Sequence, residues 1–373
     1  MIPVVGEWIA QHPGTISLGQ GIVHFAPPPQ IRDVVANAVA TESRVDRYCL
    51  VRGIDDFLQA IERKLTTENQ IELSDSSIVV TAGSNMGFQN AVLAVADADD
   101  EIILLSPYYF NHEMAIDIAG CKAVIVETDS QYQISLAAIE AAITTRTRAV
   151  VTVSPSNPTG AVYSADMLRA VNQLCREKQI YHISDEAYEY FIYGDRSHFS
   201  PGSIADSGEH TISLFSLSKA YGMAGWRTAY MVIPTHLETA VKKIQDTNLV
   251  CPPVLNQIAA AAALGAGKTW VDEQTAGFKD VRDLVLDELR KLGDRCEVPQ
   301  PDGAFYVLAK MQTDKSDMEL VEALIREFGI AVMPGSTFGV TDGCSLRVAY
   351  GALASDTVAE GMGRLVRGLD QLL

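Results

Sequence analysis

Short apolar runs rich in β-branched residues alternate with helix-like segments through the middle of the chain. The first run, residues 78–81, precedes a helix-like stretch at 85–95. The later apolar runs lie at 102–105, 123–126, 149–153, 181–184, 212–215 and 229–233. Continuous apolar strands separated by helices are typical of a mostly parallel sheet that is covered on both faces. The pattern therefore predicts a large α/β domain with a mostly parallel sheet flanked by helices.

A different pattern follows after about residue 255. Its helical and apolar segments lie at 255–292, 304–308, 317–328, 345–350 and 355–372. Short strands mixed with two helices indicate a smaller α+β domain, to which the first forty residues would return. The predicted division is a large domain at 42–275 and a small domain formed by 1–41 and 276–373.

Composition narrows the classes of function. With 47% hydrophobic and 20% charged residues the chain has the balance of an ordinary globular protein. The net charge of −18 disfavours nucleic acid and anionic membranes as partners. The six cysteines are scattered without a CxxC pair, so we expect no metal site and no disulfide framework. No signal-peptide order and no bilayer-length apolar run occur, and the expected location is the cytoplasm.

The strongest local signal follows the apolar run at 212–215. Lys219 stands there just after two hydroxyls, Ser216 and Ser218, and ahead of two glycines and Arg227. Hydroxyls and a guanidinium bind phosphate, and glycines allow the backbone to come close. A lone lysine is usually a solvated surface residue, but a lysine beside a phosphate site favours a Schiff base to a phosphorylated aldehyde.

With these residues the chain resembles the class I and II aminotransferases, the fold-type I pyridoxal-phosphate (PLP) enzymes related to aspartate aminotransferase. The pattern S-x-S-K-x-x-G-x-x-G-x-R is complete from Ser216 to Arg227, and Ala229 departs from the glycine of many relatives. The resemblance extends from Leu18 to Arg347, with its motifs in the family's order. It implies PLP as the cofactor, held on Lys219.

The resemblance also assigns groups to the cofactor ring. Asp185 would meet the pyridine nitrogen and keep it protonated, so that the ring accepts electrons; the plain alternative is a helix cap. Tyr188 and Asn157 would meet the phenolic oxygen O3′, and the family's pattern implies a cis Asn157–Pro158 bond. Tyr109 would stack on the ring, although buried aromatic residues are more often packing.

The phosphate would be bound from two segments. The turn before the helix at 85–95 is an anion site because free N–H groups and the helix dipole point at it. In the resemblance Gly83, Ser84 and Asn85 from this turn join Ser216, Ser218 and Arg227, while a plain N-cap explains Ser84 equally well. Tyr48 would reach the phosphate of a neighbouring subunit, which implies a homodimer with shared active sites; an ordinary core ring is the alternative.

Arg347 stands inside an otherwise apolar strand, where a charge is costly unless it is paired. A structural salt bridge is one reading. The resemblance implies instead a bidentate clamp on the substrate α-carboxylate, assisted by Asn157 and the backbone of Gly21. Ile22 and Val23 make the nearby wall apolar, which favours neutral, aromatic or thioether side chains slightly, and the segment 248–253 from a partner subunit adds no basic residue.

The resulting hypothesis is an aminotransferase that moves an amino group from an L-amino acid to a 2-oxo acid by a ping-pong mechanism, through internal and external Schiff bases. Lys219, Asp185 and Tyr188 are its catalytic residues. A C–S β-lyase or an aminocyclopropane-carboxylate synthase would share nearly all of these residues. A regulatory aminotransferase-like module and a fold relative without catalysis are weaker alternatives, because the catalytic set is complete and no basic segment is present. The donor and acceptor are left open.

Overall fold

The computed structural model describes residues 2–373. Its strands are β1 (Ile16–Ser17), β2 (Ser76–Thr81), β3 (Glu101–Ser106), β4 (Lys122–Glu127), β5 (Thr147–Val153), β6 (Tyr181–Asp185), β7 (Thr211–Ser216), β8 (Ala229–Pro234), β9 (Cys296–Glu297), β10 (Tyr306–Met311), β11 (Ile330–Ala331), β12 (Met333–Pro334) and β13 (Cys344–Ala349). Its α-helices are α1 (Ile2–Gln11), α2 (Gln30–Thr41), α3 (Asp55–Lys64), α4 (Ser84–Val95), α5 (Phe110–Ile118), α6 (Leu136–Ala142), α7 (Ala165–Lys178), α8 (Leu217–Ala220), α9 (Glu238–Leu249), α10 (Val254–Gly265), α11 (Gly267–Thr275), α12 (Phe278–Arg290), α13 (Asp317–Phe328) and α14 (Ser355–Leu372).

A seven-stranded sheet in the order β2-β8-β7-β6-β5-β3-β4 forms the centre of the molecule. Neighbouring strands are parallel from β7 to β4, and β8 alone runs antiparallel to both of its neighbours. Every residue of β3, β7 and β8 is buried, which explains why these strands appear as continuous apolar runs. The predicted mostly parallel α/β sheet is confirmed.

A second, four-stranded antiparallel sheet in the order β12-β13-β10-β9 lies in the C-terminal part, and β1 pairs in parallel with β11. Helix α13 has a complete capping box between Ser316 and Glu319 and ends at Gly329 in the left-handed conformation, so both of its predicted ends are fixed locally. The smaller α+β unit is confirmed as a fold feature.

The apolar clusters bear on the domain boundaries. Val5, Leu18 and the apolar residues of α12, α13 and α14 belong to one cluster around the smaller sheet. Ile31 and Ala38 of α2 instead join the cluster of α3 and α10 beside the large sheet. The division at residues 42 and 276 stays a prediction, with α2 packed on the large-sheet side of it.

The helical stretch predicted at 255–292 is divided into α10, α11 and α12. Ala266 lies between the first two, and Gly267, with a φ of 75°, begins the second of them; Ala276 and Gly277 separate the last two. Among the described helices none is long and apolar enough to cross a membrane. All six cysteines are free, and residues 2–373 contain no cluster of three or more His, Cys, Asp or Glu side chains suited to a metal ion.

Candidate active site

The register of β8 places two separate segments side by side. Ala229 pairs with Ser216 on β7 and with Thr81 on β2. Arg227, two residues before Ala229, therefore lies at the same sheet edge as the N-terminus of α4. A Cβ atom built on Gly83 would lie 2.1 Å from Nη2 of Arg227, so only glycine allows the guanidinium to lie this close to the turn. Gly83 also has a φ of 91°.

A cavity of about 520 Å³ opens at this edge. It is lined by twelve of the residues predicted for the site: Gly21, Ser84, Asn85, Tyr109, Asn157, Asp185, Tyr188, Ser216, Ser218, Lys219, Arg227 and Arg347. Tyr108, the aromatic residue next to Tyr109, packs into the core instead. Gly83 does not line the cavity but contacts Arg227. Tyr48 does not line it either and is 81% exposed, so it takes no part in the cavity of its own chain.

Lys219 follows β7 on the short helix α8 and points its amine into the cavity. Nζ donates a hydrogen bond to the carbonyl oxygen of Gly21 at 2.5 Å. Burial lowers the pKa of Lys219 to about 8, and the positive charges of Arg347 and Arg227 act in the same direction, whereas Asp185 opposes them. A substantial fraction of the amine is therefore neutral, and nucleophilic, at physiological pH.

Asp185 ends β6 and is held by two donors. Its Oδ1 accepts a hydrogen bond from the backbone N–H of Ala187 at 3.1 Å, and Oδ2 lies 3.1 Å from Nε2 of His112. The ring of His112 stacks on Phe88 with centroids 4.0 Å apart. The carboxylate is buried and fixed in direction, as a group that must contact one ring atom of a ligand has to be.

Three hydroxyl and amide groups form a chain across the cavity floor. Asn157 Nδ2 donates to Tyr188 Oη at 3.5 Å, and Tyr188 Oη shares a hydrogen bond of 2.7 Å with Tyr306 Oη. Burial raises the pKa of Tyr188 well above its ordinary value, so the phenol stays protonated and is a donor. The Asn157–Pro158 bond is cis, as predicted.

Arg347 lies on β13 opposite Leu308 of β10, so that its guanidinium sits over the ring of Tyr306 at 4.7 Å. Nη1 donates to Asn157 Oδ1 at 2.9 Å and Nη2 donates to the carbonyl oxygen of Gly19 at 2.6 Å. Nε is buried without a partner, and no ion pair joins Arg347 to a carboxylate among the described residues. Burial lowers the pKa of Arg347 from its ordinary value. The geometry rejects the structural salt bridge and leaves a buried cation available to an anionic ligand.

Sequence reasoning missed several residues of the site. Tyr306 lies in an ordinary strand, where a single tyrosine carries no signal without the fold. His112 could face the substrate on sequence grounds, but such histidines are more often structural, so the sequence assigns it no role. Helix α1 also lines the cavity, through Val5, Gly6 and Ile9. Of the two apolar residues predicted for the wall, Ile22 lines the cavity, while Val23 packs against the core around the smaller sheet.

The residues present fit PLP. A lysine with a lowered pKa suits the aldehyde, and a fixed carboxylate suits a protonated ring nitrogen. The glycine turn at Gly83, the N-terminus of α4 and Arg227 together suit a phosphate, because a Cβ atom would fill the space that the guanidinium uses. The fold and this set of groups define a fold-type I PLP enzyme.

The comparisons with known proteins agree. The family model described as aminotransferase class I and II matches residues 13–365. A probable aspartate/prephenate aminotransferase of Aquifex aeolicus is 34% identical, covering 96% of this chain and 91% of that protein. An aromatic aminotransferase of Arabidopsis thaliana is 32% identical, covering 98% and 92%. The solved structure of the aromatic aminotransferase from Pyrococcus horikoshii OT3 has a TM-score of 0.89 at 30% identity and covers 99% of both chains.

The chain belongs to the class I and II aminotransferase family. It is a PLP-dependent enzyme, and its activity is the transfer of an amino group between an amino acid and a 2-oxo acid. No relative among those compared favours the C–S lyase alternative.

Proposed function

We propose that one cavity performs this transfer with the predicted residues in the predicted roles. Lys219 bears the cofactor, Asp185 meets the ring nitrogen, and Asn157 and Tyr188 meet O3′. Tyr109 covers the ring, while the α4 turn, Ser216, Ser218 and Arg227 hold the phosphate. The proposal rests above all on the buried guanidinium of Arg347, which has no carboxylate partner within residues 2–373 and lines the same cavity as the amine of Lys219.

Each of the proposed site residues has a different role in the amino-group transfer. When bound, PLP supplies an electron-accepting ring that stabilises negative charge at the substrate Cα. Asp185, oriented by the Ala187 N–H and by His112, would hold the proton on the ring nitrogen. Arg347 and Asn157 fix the α-carboxylate and so orient the Cα–H bond. Lys219 would accept the proton from the substrate Cα and later donate a proton back, because its lowered pKa suits general acid-base work near neutral pH.

The preferred substrates are amino acids with neutral, apolar side chains. The cavity contains three basic residues, Lys219, Arg227 and Arg347, and each has a role at the cofactor or the α-carboxylate. None is left for a distal carboxylate. Two of the relatives are named for aspartate/prephenate and aromatic amino acids, so the family spans both choices.

The decisive experiment mixes the PLP-loaded enzyme with single amino acids, without an acceptor, and follows the loss of the Schiff-base absorbance. We expect phenylalanine, tyrosine, methionine and leucine to convert the enzyme to the pyridoxamine form faster than aspartate does. Lys219→Ala should show no conversion while still binding PLP non-covalently. Release of pyruvate and ammonia without an acceptor would contradict transamination and indicate a β-lyase.

The active form is a homodimer with shared active sites. Tyr48 supports this, because its ring is 81% exposed although it is large and aromatic, and Leu50 beside it is 63% exposed. Val250, in the segment predicted to reach the partner, is also exposed. Sedimentation equilibrium should give twice the chain mass, and Tyr48→Phe should weaken PLP binding; a monomer with full activity would contradict this proposal. The cytoplasmic location stays a prediction.

A further inference from the structure

Helix α1 contributes to the lining of the cavity with residues that have no proposed role at the cofactor. Val5, Gly6 and Ile9 line it, together with Ile22, Phe110 and Met333 from other segments. Positions 5, 6 and 9 lie on one face of a helix, since residues three and four apart are neighbours there. Val5 and Ile9 also pack against the apolar core around the smaller sheet, whereas Gly6 on the same face is exposed.

Gly6 has no structural reason to be glycine. Its φ is not positive, so the backbone does not require it. A Cβ atom built on it meets no heavy atom within 4 Å, so no neighbour excludes a side chain. By contrast, a Cβ atom on Gly21, across the same cavity, would lie 2.5 Å from Tyr306 Oη. Glycine inside a helix is also unfavourable relative to alanine. The feature that Gly6 does provide is open space beside the cavity.

The residues that line the cavity indicate which kind of substrate side chain this space suits. The lining includes aliphatic, aromatic and thioether side chains (Val5, Ile9, Ile22, Phe110 and Met333) beside the uncharged polar Ser17 and Gln20. Its three cations are the ones that the proposed function already assigns to the amine, the phosphate and the α-carboxylate. An apolar wall gains free energy by covering apolar surface and gains nothing from a carboxylate. A bulky, uncharged substrate side chain therefore suits the part of the cavity lined by these residues.

We infer that Gly6 is a specificity-determining residue: the absence of a side chain at this position of α1 makes room for a bulky apolar or aromatic substrate side chain. The inference rests on the proposed function, because it takes Arg347 as the anchor of the α-carboxylate. It goes beyond that function by assigning side-chain selection to one position on the N-terminal helix.

The test is a graded series at position 6 with a matched control. Gly6→Ala adds one carbon and Gly6→Leu adds four at the cavity, whereas Ala10→Leu adds three carbons on an exposed position of α1 that does not line the cavity. We expect kcat/KM for phenylalanine to fall at least about tenfold in Gly6→Leu and by less in Gly6→Ala. The value for alanine should stay within about twofold, and Ala10→Leu should leave the phenylalanine-to-alanine ratio unchanged.

A binding measurement separates this inference from the proposed function. Calorimetry with 3-phenylpropanoate and propanoate, which have the carboxylate but no amino group, should show the same loss of preference for the larger ligand in Gly6→Leu. If this ratio changes but no amino acid is converted by the wild-type enzyme, the proposed function fails and the side-chain site stands. Equal losses for both donors, or the same shift in Ala10→Leu, would overturn the inference.

Discussion

Replacing Arg347 by methionine removes the buried guanidinium while keeping an unbranched side chain of similar length. In the part of the chain that the structure describes, this cation has two side-chain or backbone acceptors, Asn157 Oδ1 and the Gly19 carbonyl, and no carboxylate partner. Losing two hydrogen bonds to a charged group costs about 1.5–3 kcal/mol each. Removing an unpaired charge from the interior recovers several kcal/mol of desolvation. The two effects are similar in size, so we expect the free energy of unfolding to change by less than about 2 kcal/mol.

Function should respond very differently. A buried, bidentate contact to a carboxylate is worth about 2–5 kcal/mol, which corresponds to a fall in kcat/KM of roughly thirty-fold to several thousand-fold. Arg347→Lys keeps the charge but loses the planar pair of donors, so it should recover only a small part of that loss. The assay compares kcat/KM for phenylalanine with the urea unfolding midpoint of the same preparation.

Arg282 supplies the matched control. Its guanidinium is also buried, but it donates to Asp283 at 2.9 and 2.6 Å and to the Pro301 carbonyl, and it lies 4.9 Å from the ring centre of Tyr193, outside the cavity lining. Arg282→Met should therefore lower stability by about 1–3 kcal/mol and leave kcat/KM of the folded enzyme unchanged. If Arg347→Met destabilised the protein as much as this control and lost activity only in proportion to unfolding, the clamp would be refuted.

Two further predictions concern cofactor binding. Schiff-base formation between the cofactor-free enzyme and PLP should speed up as pH rises through about 8, because only the neutral amine of Lys219 attacks, and Arg347→Met should move this midpoint upward by removing a nearby positive charge; a midpoint near 10.5 in both forms would contradict the burial argument. Gly83→Ala should weaken PLP binding at least about tenfold, since its Cβ atom meets Arg227 at a positive φ, while Gly225→Ala, whose Cβ atom meets nothing, should bind PLP normally in a spectroscopic titration.

The sequence predicted the parts of the site that lie at strand ends. Parallel strands bring their carboxyl ends to one edge, so the order of apolar runs already implied that Asp185, Asn157 and Lys219 converge. The direction of β8 was not predictable, because an apolar run has the same composition in either direction. Tyr306 was missed for a related reason: its role depends on pairing with β13, a contact between distant parts of the chain that no local pattern encodes.

The antiparallel strand β8 also explains how so few cations suffice in a chain with a net charge of −18. Because β8 runs antiparallel to β2 and β7, its first residue lies at the edge where those strands end, and Arg227 just before it lies beside both of the turns that we propose for the phosphate. A parallel strand at this position would place the same arginine at the opposite edge. The smaller sheet adds Arg347 to the same cavity. Asn157, from the large-sheet side, accepts a hydrogen bond from Arg347, and we propose that the two residues bind one carboxylate together. Strand direction and register, rather than the number of basic residues, concentrate positive charge in this cavity.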